Sequence, residues 1–200
     1  MANWCSTWIT FSGDPEQVRI LHEELLKARD TGDEDLKKDW LGKLLLHIGY
    51  SSEEASNDKI CFCDGYIVYH EYYPEHDELR IDTESKYVPA LLVFRCFLEH
   101  FHLDEVELIY EAIEMGNEIY ATNDPALKGC WIFNSWKQDL LPPPMDEYAW
   151  KVFREEELND LLSKVLKKKG STKALAIEFV DKYDSCSIYP YEFADVDEWS

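Results

Sequence analysis

Long apolar runs are missing from this sequence. No stretch approaches the roughly 20 consecutive apolar residues that a membrane-spanning helix needs, and the first residues lack the basic and then apolar pattern of a secretory signal peptide. Hydrophobic residues nevertheless make up 46% of the 200 positions, which is enough to form a core without a metal or disulfide staple. We therefore expect a soluble chain that resides in the cytoplasm.

Basic side chains are also scarce. The chain has 20 Lys and Arg residues against 41 Asp and Glu residues, which gives a formal net charge of −21. Residues 51–120 alone hold 17 acidic side chains against 4 basic ones. Because affinity for phosphates comes from Lys and Arg displacing counterions, this balance argues against direct binding of DNA or RNA.

Recognisable catalytic and metal-binding motifs are absent as well. There is no G-x-S-x-G elbow, no Walker loop and no H-E-x-x-H helix. The cysteines are too scattered for a disulfide framework or an iron–sulfur cluster. They are Cys5, Cys61, Cys63, Cys96, Cys130 and Cys186. His100 and His102 lie on different faces of a predicted helix. We expect free thiols, no metal, no cofactor and no catalytic residue.

The opening segment has clear local signals. "NWCSTWITF" alternates with a period of two and is rich in aromatic and β-branched residues, which predicts a strand. Gly13 ends this strand, Asp14 can cap a following helix, Pro15 suits its first position, and Gln17 completes a capping box. The sequence therefore predicts a strand-to-helix turn at "GDPEQ".

Strand and helix patterns alternate through the middle of the chain. A helical pattern lies in an insert of about residues 31–48 and ends near Gly49. "KICFCDGYIVYHEYY" predicts a hairpin at Asp64-Gly65, "ELRID" a strand, "PALLVFRCFLEHF" a buried helix that begins at Pro89, and "VELIYEAIEM" a further strand. This order predicts an α+β fold with an antiparallel sheet of the ferredoxin-like, split βαβ type over residues 1–140.

Two blocks of the sequence resemble a known family. "ANWCSTWITFSGDPEQV" is similar to the "PNWC" strand and Gly-Asp turn that begin the YubB ferredoxin-like domain family. "ELRIDTESKYVPALLVFRCFLEHF" and "VELIYEAIEMGNEIYATND" are similar to its later strand, proline-led helix and strand, up to about residue 125. The resemblance implies a ferredoxin-like fold and a bacterial cytoplasmic setting, because members are carried by phages, plasmids and other mobile elements. It supplies no activity and no catalytic residue.

The three prolines of "LLPPPMDEY" favour an extended spacer and hence a domain boundary. After it, one helical run ends near Gly170, and Ser171 or Thr172 can cap a second helix. We predict a small, mostly helical appendage over residues 145–200 that docks on the first domain.

Two tryptophans mark a candidate binding face. If Ile9 and Phe11 point into the core, Trp4 and Trp8 stand on the other face of the sheet. Ile109 and Ile113 would stand beside them. Such an apolar face needs a cover, and either the C-terminal segment or a protein partner could supply it.

Acidic residues cluster near the last predicted strand of this domain. Glu107 and Glu111 lie on one face about 13 Å apart, and the cluster consists of Asp104, Glu105, Glu107, Glu111, Glu114 and Glu118. A cationic partner would relieve their mutual repulsion, or the acids protect an edge strand from aggregation.

We therefore expect a non-enzymatic acidic protein that binds a basic surface of a host protein, with mimicry of nucleic acid as one form of this binding. The alternative is a small enzyme or nucleotide-binding module that uses the aromatic and carboxylate face.

Overall fold

The computed structural model describes residues 3–32, 37, 39–56, 64–116 and 118–199, and these form an α+β fold. The strands are β1 (Trp4–Gly13), β2 (Gly65–Tyr73), β3 (Glu78–Lys86), β4 (Val106–Glu114), β5 (Ile119–Thr122), β6 (Cys130–Ser135), β7 (Trp150–Arg154), β8 (Cys186–Pro190) and β9 (Glu192–Phe193). The α-helices are α1 (Pro15–Arg29), α2 (Gly42–His47), α3 (Ser52–Ala55), α4 (Leu92–His100), α5 (Glu155–Leu166) and α6 (Thr172–Lys182). None of the helices in the described ranges combines the length and apolarity needed to cross a membrane.

The chain divides into two compact units. The first unit comprises Met1–Asp124 and Phe193–Ser200, and the second comprises Pro125–Glu192. The sequence pattern predicts a boundary between residues 140 and 145. In the structure the boundary comes earlier, after Asp124, and Phe193–Ser200 belongs to the first unit. The second unit is thus an insertion in the chain of the first, and its docking on that unit stays a prediction.

The sheet of the first unit has β1 at its centre. Its strands run in the order β2-β3-β1-β4-β5-β9. β1 pairs antiparallel with both β3 and β4, and the pairs β2–β3 and β4–β5 are antiparallel too. The predicted antiparallel sheet is confirmed for these pairs. A central strand is covered on both edges by neighbours, which suits the aromatic and β-branched composition of β1.

The turn between β1 and α1 follows the local chemistry. Asp14 caps α1 by accepting a hydrogen bond of 2.9 Å from the Gln17 backbone N–H, and Pro15 takes the first helical position. The predicted capping box is incomplete, because the Gln17 side chain accepts a hydrogen bond of 3.0 Å from the Glu105 backbone N–H. Gln17 thereby ties the start of α1 to the turn before β4.

One apolar core joins the inner face of this sheet to the helices. Ile9 and Phe11 are buried, and the ring of Phe11 lies 5.7 Å from that of Phe94 on α4. The helical residues predicted to pack on this face are buried, apart from the half-buried Leu98; they are Val18, Leu21, Leu25, Leu91, Phe94 and Leu98. α4 begins at Leu92, so Pro89 precedes the helix by three residues.

The predicted insert and hairpin are only partly within the described ranges. The helical pattern of the insert appears as the short α2, and Trp40 forms an antiparallel bridge with Tyr66 instead of joining a helix. Residues 33–36 and 38 of the insert and the run before Asp64, with Cys61 and Cys63, lie outside the described residues.

The second unit combines a sheet with helices. Its sheet has the order β7-β6-β8 and carries α5 and α6, which are the two helices predicted after the proline run. The central strand of this sheet, β6, lies before residue 145, outside the predicted appendage. Leu141 and Met145 on either side of the proline run are buried in its core, and the run is therefore not a spacer. Ser171 caps α6 as predicted, by accepting a hydrogen bond of 3.4 Å from the Ala174 N–H.

Candidate functional site

The negative charge of the chain belongs to the first unit. That unit has 30 acidic and 10 basic residues, a net charge of −20, whereas the second has 11 acidic and 10 basic residues, a net charge of −1. An electrostatic partner of this protein would therefore be drawn to the first unit.

The outer face of the first unit's sheet, on the side opposite α1 and α4, exposes two tryptophans. Because side chains alternate along β1, Trp4 and Trp8 point away from the core that buries Ile9 and Phe11. Trp4 and Trp8 are each 44% exposed. The alternation predicted from the sequence is therefore confirmed, and the outer face presents large aromatic surfaces to solvent.

Strand register places carboxylates on both sides of Trp8. Its direct neighbours across the sheet are Asp82 on β3 and Glu111 on β4, and Asp82 in turn pairs with the exposed Tyr69 on β2. Directly opposed residues have Cβ atoms about 5 Å apart. One row across the outer face therefore reads Tyr69, Asp82, Trp8 and Glu111.

Asp82 is the unusual carboxylate of this row. It is half-buried, and among the described residues none forms an ion pair or a hydrogen bond with its side chain. Burial raises the pKa of Asp82 above its ordinary value, because desolvation disfavours the charged form. A cation placed here would relieve that cost.

Two further aromatic rings of the outer face already contact cations from the same chain. The Lys37 ammonium lies 4.7 Å from the centre of the Tyr66 ring. The Arg80 guanidinium lies 5.0 Å from that of Tyr73 and pairs with Glu78. In the part of the chain that the structure describes, no cation and no ring stacks on Trp8.

Tyrosine hydroxyls organise the β2 end of the face. Tyr69 and Tyr73 both donate hydrogen bonds to the carboxylate of Glu71, which lies between them on β2. The Tyr69 hydroxyl contributes most to lowering the pKa of Glu71, and the same hydrogen bond raises the pKa of Tyr69. Glu71 therefore stays ionised in contact with the two rings.

The predicted acidic cluster is only partly assembled. Asp104, Glu105, Glu107 and Glu118 are exposed, and the half-buried Glu111 shares the outer face with Glu107, which pairs with Ser12. β5 pairs with β4 only from Glu111 to Glu114, so Glu111 lies between two strands, whereas Glu107 lies on the part of β4 that β5 does not reach. Protection of a strand edge by these acids stays a prediction.

Glu114 is a correction to the predicted site. It is only 3% exposed and lies on the inner side of β4, where its carboxylate accepts a hydrogen bond of 2.8 Å from the Gly116 backbone N–H. A partner on the outer face cannot contact it. Of the two isoleucines predicted beside the tryptophans, Ile109 is half-buried and Ile113 is buried.

Sequence reasoning missed the contribution of β3. In "ELRIDTESK" the polar residues Arg80, Asp82 and Glu84 alternate with buried Leu79 and Ile81. That period-two signal could have identified the outward carboxylates. The alternation alone could not predict the strand register, which places Asp82 beside Trp8.

A second polar cluster lies between α1 and the β2 edge. The Arg29 guanidinium donates to Nδ1 of His70 at 3.2 Å and pairs with Asp39, while the His22 ring stacks on Tyr72 at 4.8 Å. Burial lowers the pKa of both histidines, and the Arg29 charge lowers that of His70 further. Hence this cluster holds neutral imidazoles.

Metal chemistry and reactive thiols find no support in the described ranges. No three His, Cys, Asp or Glu side chains within them are grouped to hold a metal ion. No disulfide joins Cys5, Cys96, Cys130 or Cys186. Burial raises the pKa of Cys5 to about 12 and that of Cys186 to about 11, so these thiols stay protonated.

Comparison with protein-family models finds no match for the chain, and no curated protein matches it significantly. A proposal about function therefore rests on the geometry and charge of the outer face.

Proposed function

We propose that this protein is a non-enzymatic interaction module that binds a basic surface of a partner protein through the outer face of its first unit. The observation that carries the proposal is the exposed Trp8 between Asp82 and Glu111, on a unit with a net charge of −20. Aromatic rings and carboxylates together favour Lys and Arg side chains, through cation–π contacts and ion pairs.

Charge favours this proposal over a nucleotide-binding module. Asp82, Glu84 and Glu111 lie on the face that bases would use for stacking, and their charges would repel phosphates. The same charges attract a basic partner over several ångströms and raise its association rate. A partner whose basic surface normally contacts nucleic acid fits this description, and the module would then act as a mimic of phosphate charge.

The fold and setting form a second part of the proposal. We propose a ferredoxin-like domain related to the YubB family, carried by a bacterial mobile element and acting in the cytoplasm. In support, α1 follows β1, α4 connects β3 to β4, and the strand order β2-β3-β1-β4 is that of a split βαβ sheet. The small enzyme considered as an alternative lacks a specific observation in its favour.

The test compares two variants that remove equal charge. In the first, Glu84, Glu107 and Glu111 on the outer face are changed to Gln. In the second, three acids of the helical layer are changed to Gln; they are Glu23, Glu53 and Glu99. Binding of a fluorescent peptide of alternating Arg and Lys is measured by anisotropy between 50 and 500 mM NaCl.

We expect the outer-face variant to bind the peptide about tenfold more weakly at 50 mM NaCl and the helical-layer variant to stay within about threefold of the parent. Parent binding should weaken steeply as salt rises, because exposed charges are screened. Equal losses in both variants would show attraction to overall charge alone. That result would refute a binding site on the outer face.

A further inference from the structure

We infer that Trp8 and Asp82 form a subsite for a guanidinium group, the side chain of an arginine on the partner. This inference rests on the proposed function and specifies which basic residue the outer face selects. The arginine would lie on the Trp8 ring, pair with Asp82 on one side and have Glu111 within reach on the other.

The first argument is the surface that Trp8 offers. Trp8 lies on the central strand and is 44% exposed, and the carboxylates beside it come from the two neighbouring strands. A planar guanidinium can stack on an aromatic ring and still direct N–H groups sideways, so it can use the ring and a flanking carboxylate together. An ammonium is a point charge without this planar geometry.

The second argument is the partial burial of Asp82. A half-buried carboxylate without a cationic partner among the described residues gains most from a cation that sheds its water readily. Guanidinium is more weakly hydrated than ammonium, so its transfer into the space between Trp8 and Tyr69 costs less.

The third argument is a guanidinium that the outer face already holds. Arg80 lies 5.0 Å from the ring centre of Tyr73 while its Nε pairs with the Glu78 carboxylate. An aromatic ring and a carboxylate thus bind an arginine of the same chain on this face. Trp8 and Asp82 repeat the pair of groups on neighbouring strands, and the described residues place no cation there.

The test uses two probes of equal charge, a hexa-arginine and a hexa-lysine peptide with blocked ends. Dissociation constants are measured at 100 mM NaCl for the parent, Trp8→Ala and Asp82→Asn. The matched controls are Trp136→Ala, which removes an exposed tryptophan of the second unit, and Glu53→Gln, which removes one charge from α3. Two-dimensional NMR of the indole N–H groups reports the fold of each variant, and the signal missing in Trp8→Ala identifies Trp8.

We expect the parent to bind hexa-arginine about threefold to fivefold more tightly than hexa-lysine, because a guanidinium can stack on the Trp8 ring and pair with Asp82 at the same time, which an ammonium cannot. The ratio should fall to about one in both Trp8→Ala and Asp82→Asn and remain at the parent value in the two controls. Hexa-arginine should also shift the Trp8 indole signal more than hexa-lysine does.

Two outcomes would overturn the inference, and they have different meanings for the proposed function. If both peptides bind but the ratio is the same in parent and variants, the subsite is wrong, and the comparison of the two triple Glu-to-Gln variants still decides whether the outer face binds. If neither peptide binds, both proposals fail. Asp82→Asn keeps the size of the side chain, so it preserves the test even if Trp8→Ala does not fold.

Discussion

The hydroxyl of Tyr110 connects the core of the first unit to its returning C-terminal segment. Tyr110 is buried on β4; its hydroxyl donates to the Ala194 carbonyl at 2.8 Å and accepts from the Trp199 indole N–H at 2.7 Å. Tyr110→Phe removes this one oxygen atom and keeps the ring. We expect the variant to lose stability and to loosen the segment around Ala194.

The structure sets the size of the loss. Ala194 is buried, so its carbonyl would be left without this partner at a cost of about 1–3 kcal/mol. Trp199 is half-buried, and water can replace the hydroxyl at its N–H, which places that loss near the lower end of about 0.5–1.5 kcal/mol. Together they predict a decrease of about 1.5–3.5 kcal/mol in the free energy of unfolding.

Urea unfolding followed by circular dichroism measures the stability, and amide hydrogen exchange at Ala194 measures the local loosening. The Ala194 N–H donates to the Thr122 carbonyl at 3.1 Å, so it should exchange faster once the segment detaches. Tyr72→Phe is the control, since no described residue hydrogen-bonds the half-buried Tyr72 hydroxyl. A Tyr110→Phe variant within about 0.5 kcal/mol of the parent, with unchanged exchange, would refute the reasoning.

Two further predictions concern the same unit. The free energy of unfolding should decrease from pH 7.5 to 5.5. Burial lowers the pKa of His22 and His70 in the folded protein, whereas the same histidines have a pKa of about 6.5 in the unfolded chain. The unfolded chain therefore takes up more protons as the pH falls, which favours unfolding. Urea titrations at several pH values should show a smaller decrease for His70→Gln and the parent's decrease for His76→Gln. The same pH dependence in both variants would contradict the role given to His70. Gly13→Ala should cost about 2–4 kcal/mol, since φ is 140° and a Cβ would collide with a backbone carbonyl. Gly49→Ala is the control, because φ is 99° there and an added Cβ would meet no other atom, and it should cost about 1 kcal/mol. Equal losses of stability for the two variants in urea titrations would show that the predicted collision at Gly13 does not occur.

Local chemistry accounts for the parts of the fold that were predicted correctly. The cap at Asp14, the proline after it and the period-two pattern of β1 involve residues within a few positions of one another. The prediction that Trp4 and Trp8 face away from the core needed only that alternation. The composition alone showed that the chain is acidic, though not that the excess lies in the first unit.

Long-range pairing accounts for most of what was missed. β6 pairs with β8, whose residues lie more than 50 positions later, and this pairing makes residues 125–192 one unit. The proline run has the local chemistry of a spacer, yet Leu141 and Met145 beside it are buried because the sheet and helices enclose them. Nothing within a short window of sequence carries that information.

The prediction that Glu114 is an exposed acid was wrong for a different reason. The alternation that puts Val106, Tyr110 and Ala112 on the inner side of β4 puts Glu114 there as well. The prediction grouped it with the exposed acids because of its charge, although the period of two already assigned it to the core side. Pattern should have taken precedence over residue type at this position.

The placement of Asp82 bears on whether the acids of the outer face only keep the protein soluble. A carboxylate that serves solubility works best when it is fully hydrated, and Glu84 next along β3 is exposed in this way. Asp82 is half-buried beside Trp8, and burial raises its pKa, so it contributes charge at a cost. Solubility does not require that cost. The proposed recognition of a cation gives that cost a physical reason, because a partly desolvated carboxylate beside an aromatic ring attracts a partner's charge more strongly than a hydrated one.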